Sequence, residues 1–151
     1  MSMDLFEIAG LPVHPLIVHA VVILVPLTAL ALILGALFPA ARKRLGIVTP
    51  IAALIVLVLV PITMLAGEAL AQSVGPVPAV VHHADLGGLL WPWTLAMFVV
   101  ATLQWCWHRF GDGPGRTTRV ILAVLAVVSG AGSTVMVVLI GEAGARAVWG
   151  G

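Results

Sequence analysis

Four apolar runs, each about as long as a bilayer core is thick, leave this chain few folds to choose from. They lie at about residues 15–38, 45–68, 80–108 and 120–141, joined by short polar stretches. A helix of about 20 residues crosses the hydrocarbon. In lipid each backbone polar group needs an internal partner, which a helix supplies within the segment. The chain is 62% hydrophobic and 9% charged, with mean hydropathy +1.20. Soluble domains carry about 25% charged residues. No water-soluble fold of 151 residues could bury so much apolar surface. The expectation is an all-α integral membrane protein with one transmembrane domain over residues 1–151. Short joints make neighbouring helices antiparallel, so the four should form an up-down-up-down bundle.

The basic residues orient that bundle. Arg42, Lys43 and Arg44 fall between the first two runs, and Arg109, Arg116 and Arg119 around the last joint. Only Arg146 falls at the other end. Positive loops stay in the cytoplasm, so both termini are expected outside a bacterial inner membrane. The acidic residues agree: Asp4, Glu7, Glu68, Asp85 and Glu142 fall outside and only Asp112 inside. Trp105, Trp107 and Trp149 stand where an aromatic belt anchors helices. The N-terminal stretch carries Asp4 and Glu7 but no basic residue, unlike a cleavable signal peptide. The first run is therefore expected to persist as a helix.

Several chemistries are disfavoured at once. One cysteine, Cys106, allows neither an internal disulfide framework nor a Cys-rich metal cluster. A net charge of +1 is no nucleic-acid signature. Phosphate-binding glycine loops, His-Glu-x-x-His helices and Gly-x-Ser-x-Gly elbows do not occur. No residue is singled out as catalytic.

Pro26, Pro61 and Pro92 interrupt three runs, and each removes a backbone hydrogen bond. Membrane helices tolerate such breaks when neighbours satisfy the freed carbonyls. In the fourth run, Ser129-Gly130-Ala131-Gly132-Ser133-Thr134 would let a helix, or a flat cofactor, approach closely. Gly67-Glu68-Ala69 and Gly141-Glu142-Ala143 end the second and fourth runs, a weak two-helix internal repeat.

The polar residues near the outer face form the candidate site. His14 and His19 open the first run; His82 and His83 open the third. His14 precedes Pro15, which disfavours helical backbone, so it is placed in the entry segment or at the cap. His19 then lies one turn inside. Adjacent side chains diverge by about 100°, so at most one of His82 and His83 faces the bundle. Imidazoles on facing helices suit haem iron, zinc, copper and non-haem iron. Haem b is the first candidate cofactor, with His19 and His83 as ligands and clearance at Gly87. Glu68 and Glu142 would orient the ligands or handle protons. A transition metal held by His14, His19, His82 and His83 is the alternative. A di-iron carboxylate centre would need Glu-x-x-His, which is missing. Two other classes compete: an assembly subunit with a structural His/Glu network, and a small proton or metal transporter.

Leu11-Pro12-Val13-His14-Pro15-Leu16-Ile17-Val18-His19, the later His83 and the end Gly141-Glu142-Ala143-Gly144-Ala145-Arg146-Ala147-Val148 together resemble an uncharacterised bacterial membrane family, domain of unknown function 2231. The resemblance covers nearly the whole chain and implies a four-helix membrane domain. Some relatives carry a Rieske-type iron–sulfur domain after the last helix, which implies electron transfer. This chain stops at Gly151, so no iron–sulfur centre of its own is expected. Partners would be the lipid bilayer, a separate redox protein or quinone, and a second copy of the chain.

Overall fold

The chain is helical because its apolar runs have no other way to satisfy their backbone in lipid. A computed structural model describes residues 7–8, 11–75, 77–111 and 114–149. Two short strands, β1 (Glu7–Ile8) and β2 (Leu11–Pro12), pair antiparallel just before the first helix. Helices α1 (Val13–Leu37), α3 (Val48–Val74), α4 (Pro78–Phe110) and α5 (Arg116–Trp149) are each long and apolar enough to cross a membrane. The basic joint after α1 is itself a short helix, α2 (Pro39–Leu45).

Several boundaries differ from the apolar windows. Helix α3 starts at Val48, because Leu45 belongs to α2, and runs on to Val74; α4 spans Pro78–Phe110, and α5 runs from Arg116 to Trp149. Hydropathy marks the hydrocarbon, whereas helical hydrogen bonding continues into water wherever the backbone permits. Helix α1 also begins before Pro15, so His14 lies in its first turn rather than ahead of it. A proline so near a helix start takes away an N–H that had no intrahelical partner. Asp4 and Asp112, part of the charge argument, lie outside the described residues.

Helix α1 packs beside α3 and α5, and so does α4, leaving α1 and α4 on a diagonal. The core is centred on Val25, Leu32, Val56 and Met97. Large apolar side chains such as Ile23, Leu54, Val99 and Val138 point outward, the surface a lipid-facing bundle needs. Helices α3 to α5 bond most of their core hydroxyls back to their own backbone: Thr63 to Leu59, Thr94 to Trp91, Ser133 to Ser129. Each such bond meets a polar group's need without water.

The two halves repeat in three dimensions. Counted from His14 in α1 and His83 in α4, the buried positions coincide: Val21 with Leu90, Val25 with Thr94, Thr28 with Met97, Leu32 with Ala101. Helices α3 and α5 coincide likewise: Thr49 with Ala126, Ala53 with Gly130, Val56 with Ser133, Val60 with Val137, Ala66 with Ala143. This register pairs Gly67 with Gly144. The Gly-Glu-Ala triplets would have paired Gly67 with Gly141 and are three residues out. Burial carries the repeat along its length, and residue identity joins it at His14/His83, Val60/Val137, Ala66/Ala143 and Gly67/Gly144.

Close approach explains the small residues of α5. A Cβ on Gly130 would stand 3.2 Å from Ala29 Cβ, so α1 packs against bare backbone. A Cβ on Gly132 would overlap the Trp93 ring. The indole of α4 occupies that notch.

Candidate functional site

Two imidazoles meet across the diagonal at the end of the bundle away from the basic joints. His14 of α1 and His83 of α4 have ring centres 6.3 Å apart and planes at 89°. Both rings are half-buried. Each is held by the same device. His14 Nδ1 lies 2.9 Å from the Thr63 carbonyl oxygen of α3. His83 Nδ1 lies 3.0 Å from the Ile140 carbonyl oxygen of α5. A carbonyl only accepts, so Nδ1 carries the proton and donates in both rings.

Each ring reaches a helix backbone because a glycine sits one turn beyond the carbonyl it contacts. A Cβ on Gly67 would stand 2.9 Å from His14 Cε1, and one on Gly144 would stand 3.1 Å from His83 Cε1. Neutral imidazole donates through one nitrogen and accepts through the other. With both Nδ1–H groups committed and no Nε2 partner among the described residues, both Nε2 lone pairs can meet a ligand. Metal-binding histidines are commonly oriented in this way, by a second bond from the ring to a carbonyl.

The other residues singled out in the sequence lie elsewhere. His19 is exposed and bonds through Nδ1 to the Pro15 carbonyl of its own helix. His14, at the helix start, takes the place opposite His83. His82 is exposed beside His83. Glu68 is exposed, and Glu142 is exposed and pairs with Arg146 one turn on. Neither carboxylate bonds an imidazole among the described residues. A Cβ on Gly87 would meet nothing within 4 Å, so this glycine borders neither ring. No set of three or more His, Cys, Asp or Glu side chains gathers among the described residues. The sequence reading missed Gly67 and Gly144 as the seats of the rings. Its one signal was the shared Ala-Gly step, Ala66-Gly67 and Ala143-Gly144, with the alanine buried in each case.

The opposite end has its own polar cluster. Arg42 of α2 donates from Nε to the Gly35 carbonyl (2.8 Å) and from Nη2 to the Ala36 carbonyl (3.1 Å). These are unpaired acceptors at the end of α1. Its Nη1 lies 2.8 Å from His108 Nε2, while His108 Nδ1 donates to the Gln104 carbonyl at 2.6 Å. His108 is therefore an acceptor at Nε2, and Arg42 ties α1 to α4. Burial, and then the nearby Arg119 charge, hold the Arg42 guanidinium below its ordinary range.

Neither a curated protein nor a solved structure shows significant similarity to this chain. A family model described as a predicted membrane protein (DUF2231) matches residues 10–151. That span contains all four membrane-length helices, both imidazoles and both glycines beneath them, and the chain belongs to this family of predicted membrane proteins.

Proposed function

We propose that His14 and His83 together bind one redox-active metal ion, copper first, and that the bundle serves one-electron transfer at the outer face of a bacterial plasma membrane. The ring spacing carries this reading. Two imidazoles on opposite sides of one ion, each nitrogen about 2 Å from it, have ring centres about 6 Å apart. The observed 6.3 Å fits that separation. Imidazole suits copper, and a soft low-valent ion accepts few donors. Zinc sites use three or four protein ligands, and only two imidazoles meet here. Bound copper would exchange one electron with a redox protein or quinone. The chain's own part is to hold both rings with Nε2 free, through Thr63 and Ile140, and to keep the site at the membrane rim.

Haem is the first candidate from the sequence, and two axial donors are the right number for it. The space suits it less well. The room beside Gly67 and Gly144 is taken by the rings themselves, and Trp93 lies on Gly132. A small ion asks for no such slot.

The test is metal analysis and a visible spectrum of the purified protein, with His14→Ala, His83→Ala and His19→Ala in parallel. Stoichiometric copper in the parent, lost in either of the first two variants and kept in the third, is the expected result. A haem Soret band would replace the ion by the macrocycle. A metal-free parent after copper loading, with both variants only less heat-stable, would make the pair a structural tie.

A further inference from the structure

A second site lies at the basic end, far from the paired imidazoles. A cavity of about 320 Å³ opens between α1, α2, α3 and α4, and Gly35, Arg42, Lys43, Gln104, His108 and Arg109 are among its lining residues. We propose that this cavity binds the phosphate group of an anionic phosphate ester, with a membrane lipid headgroup as its source.

Three independent features converge there. The first is uncompensated positive charge. Among the described residues Arg42 bonds only neutral acceptors, two carbonyls and an imidazole, so none of them pairs its charge and two of its five N–H donors are left over. Lys43 and Arg109 are exposed beside it, and neither forms an ion pair among the described residues. The second is Gln104, whose side chain belongs to a residue only 6% exposed. Its Nε2 stands 3.5 Å from where a Cβ of Gly35 would be, and its amide has no hydrogen-bond partner among the described residues. Gln104 lines the cavity, so its amide N–H can donate to a ligand oxygen held there. The third is the start of α3, where Thr49 and Pro50 border the cavity. Pro50 has no N–H to offer, but the Thr49 N–H and the dipole of that long helix favour an anion.

Position decides between sources. The cavity sits at the end of membrane-length helices, with Trp105 on its wall, at headgroup depth. Basic pockets between transmembrane helices are a known setting for anionic headgroups.

The experiment is native mass spectrometry of the intact protein released from detergent, with phosphatidylglycerol, phosphatidylcholine or glycerol 3-phosphate added. The expected result is retention of phosphatidylglycerol about tenfold over phosphatidylcholine. The double variant Lys43→Gln/Arg109→Gln should abolish this preference. Arg44→Gln/Arg116→Gln, which removes equal charge from the same end outside the cavity, should preserve it. Gln104→Leu should weaken retention with both cations intact; circular dichroism checks that it folds. Displacement of lipid by millimolar glycerol 3-phosphate would assign the site to a soluble ester; failure to displace it would assign it to the lipid. Equal losses in the two double variants, or no preference in the parent, would overturn the proposal.

Discussion

His14 and His83 stand on diagonal helices with ring centres 6.3 Å apart, and each leans on a glycine of the helix between. Thr63 and Gly67 serve the first ring as Ile140 and Gly144 serve the second. The relation makes the end of the bundle approximately two-fold symmetric around a pair of imidazoles.

Gly67→Ala sets two effects of similar size against each other. A mid-helix alanine gains about 0.5–1 kcal/mol over glycine. The new Cβ would push the His14 ring off the Thr63 carbonyl, and a lost hydrogen bond costs about 0.5–1.5 kcal/mol. Thermal stability should therefore change by less than about 1 kcal/mol, while copper binding falls at least tenfold. Gly144→Ala should do the same through His83. Copper retention by both variants would show that the glycine seats are dispensable.

Gly132→Ala should behave differently. Its Cβ would run into the Trp93 ring, and a ring wedged between helices has little room to yield. Overpacking of this kind costs about 1–3 kcal/mol. Trp93→Leu should be less sensitive to the added methyl, and a double-mutant cycle of melting temperatures measures that coupling.

Arg42→Ala removes donors from the Gly35 and Ala36 carbonyls and from His108. A destabilisation of about 1–3 kcal/mol is expected, with copper binding at the far end unchanged. Arg42→Lys should restore only part of it, because an ammonium lacks the planar fork that reaches several acceptors at once.

The basic bias predicts the orientation. Arg42, Lys43, Arg44, Arg109, Arg116 and Arg119 lie toward one end, which should face the cytoplasm. A reporter active only outside the cytoplasm, fused after Gly151, should be active, and one fused in the α1–α3 joint silent. The reverse pattern would move the imidazole pair to the inner face.

The sequence by itself determined the class of fold. Bilayer thickness and backbone hydrogen bonding are one-dimensional constraints, so run length alone marked α1, α3, α4 and α5. It also drew four of the five histidines toward one end and six of the seven basic residues toward the other, because depth in a membrane follows position along a helix. Tertiary structure decided which side chains meet. Choosing His14 over His19 depends on how α1 is rotated about its axis, and the helix is apolar nearly all round. The repeat register was obscured for a related reason. Burial matches Val56 with Ser133 and Ala53 with Gly130, pairs that share place but not identity, while the visible Gly-Glu-Ala match is out of register, setting half-buried Gly67 against exposed Gly141 and half-buried Ala69 against buried Ala143. Gly67 and Gly144 stood out from the other glycines only once a ring lay against each, because a missing side chain has meaning only through the neighbour that fills its space.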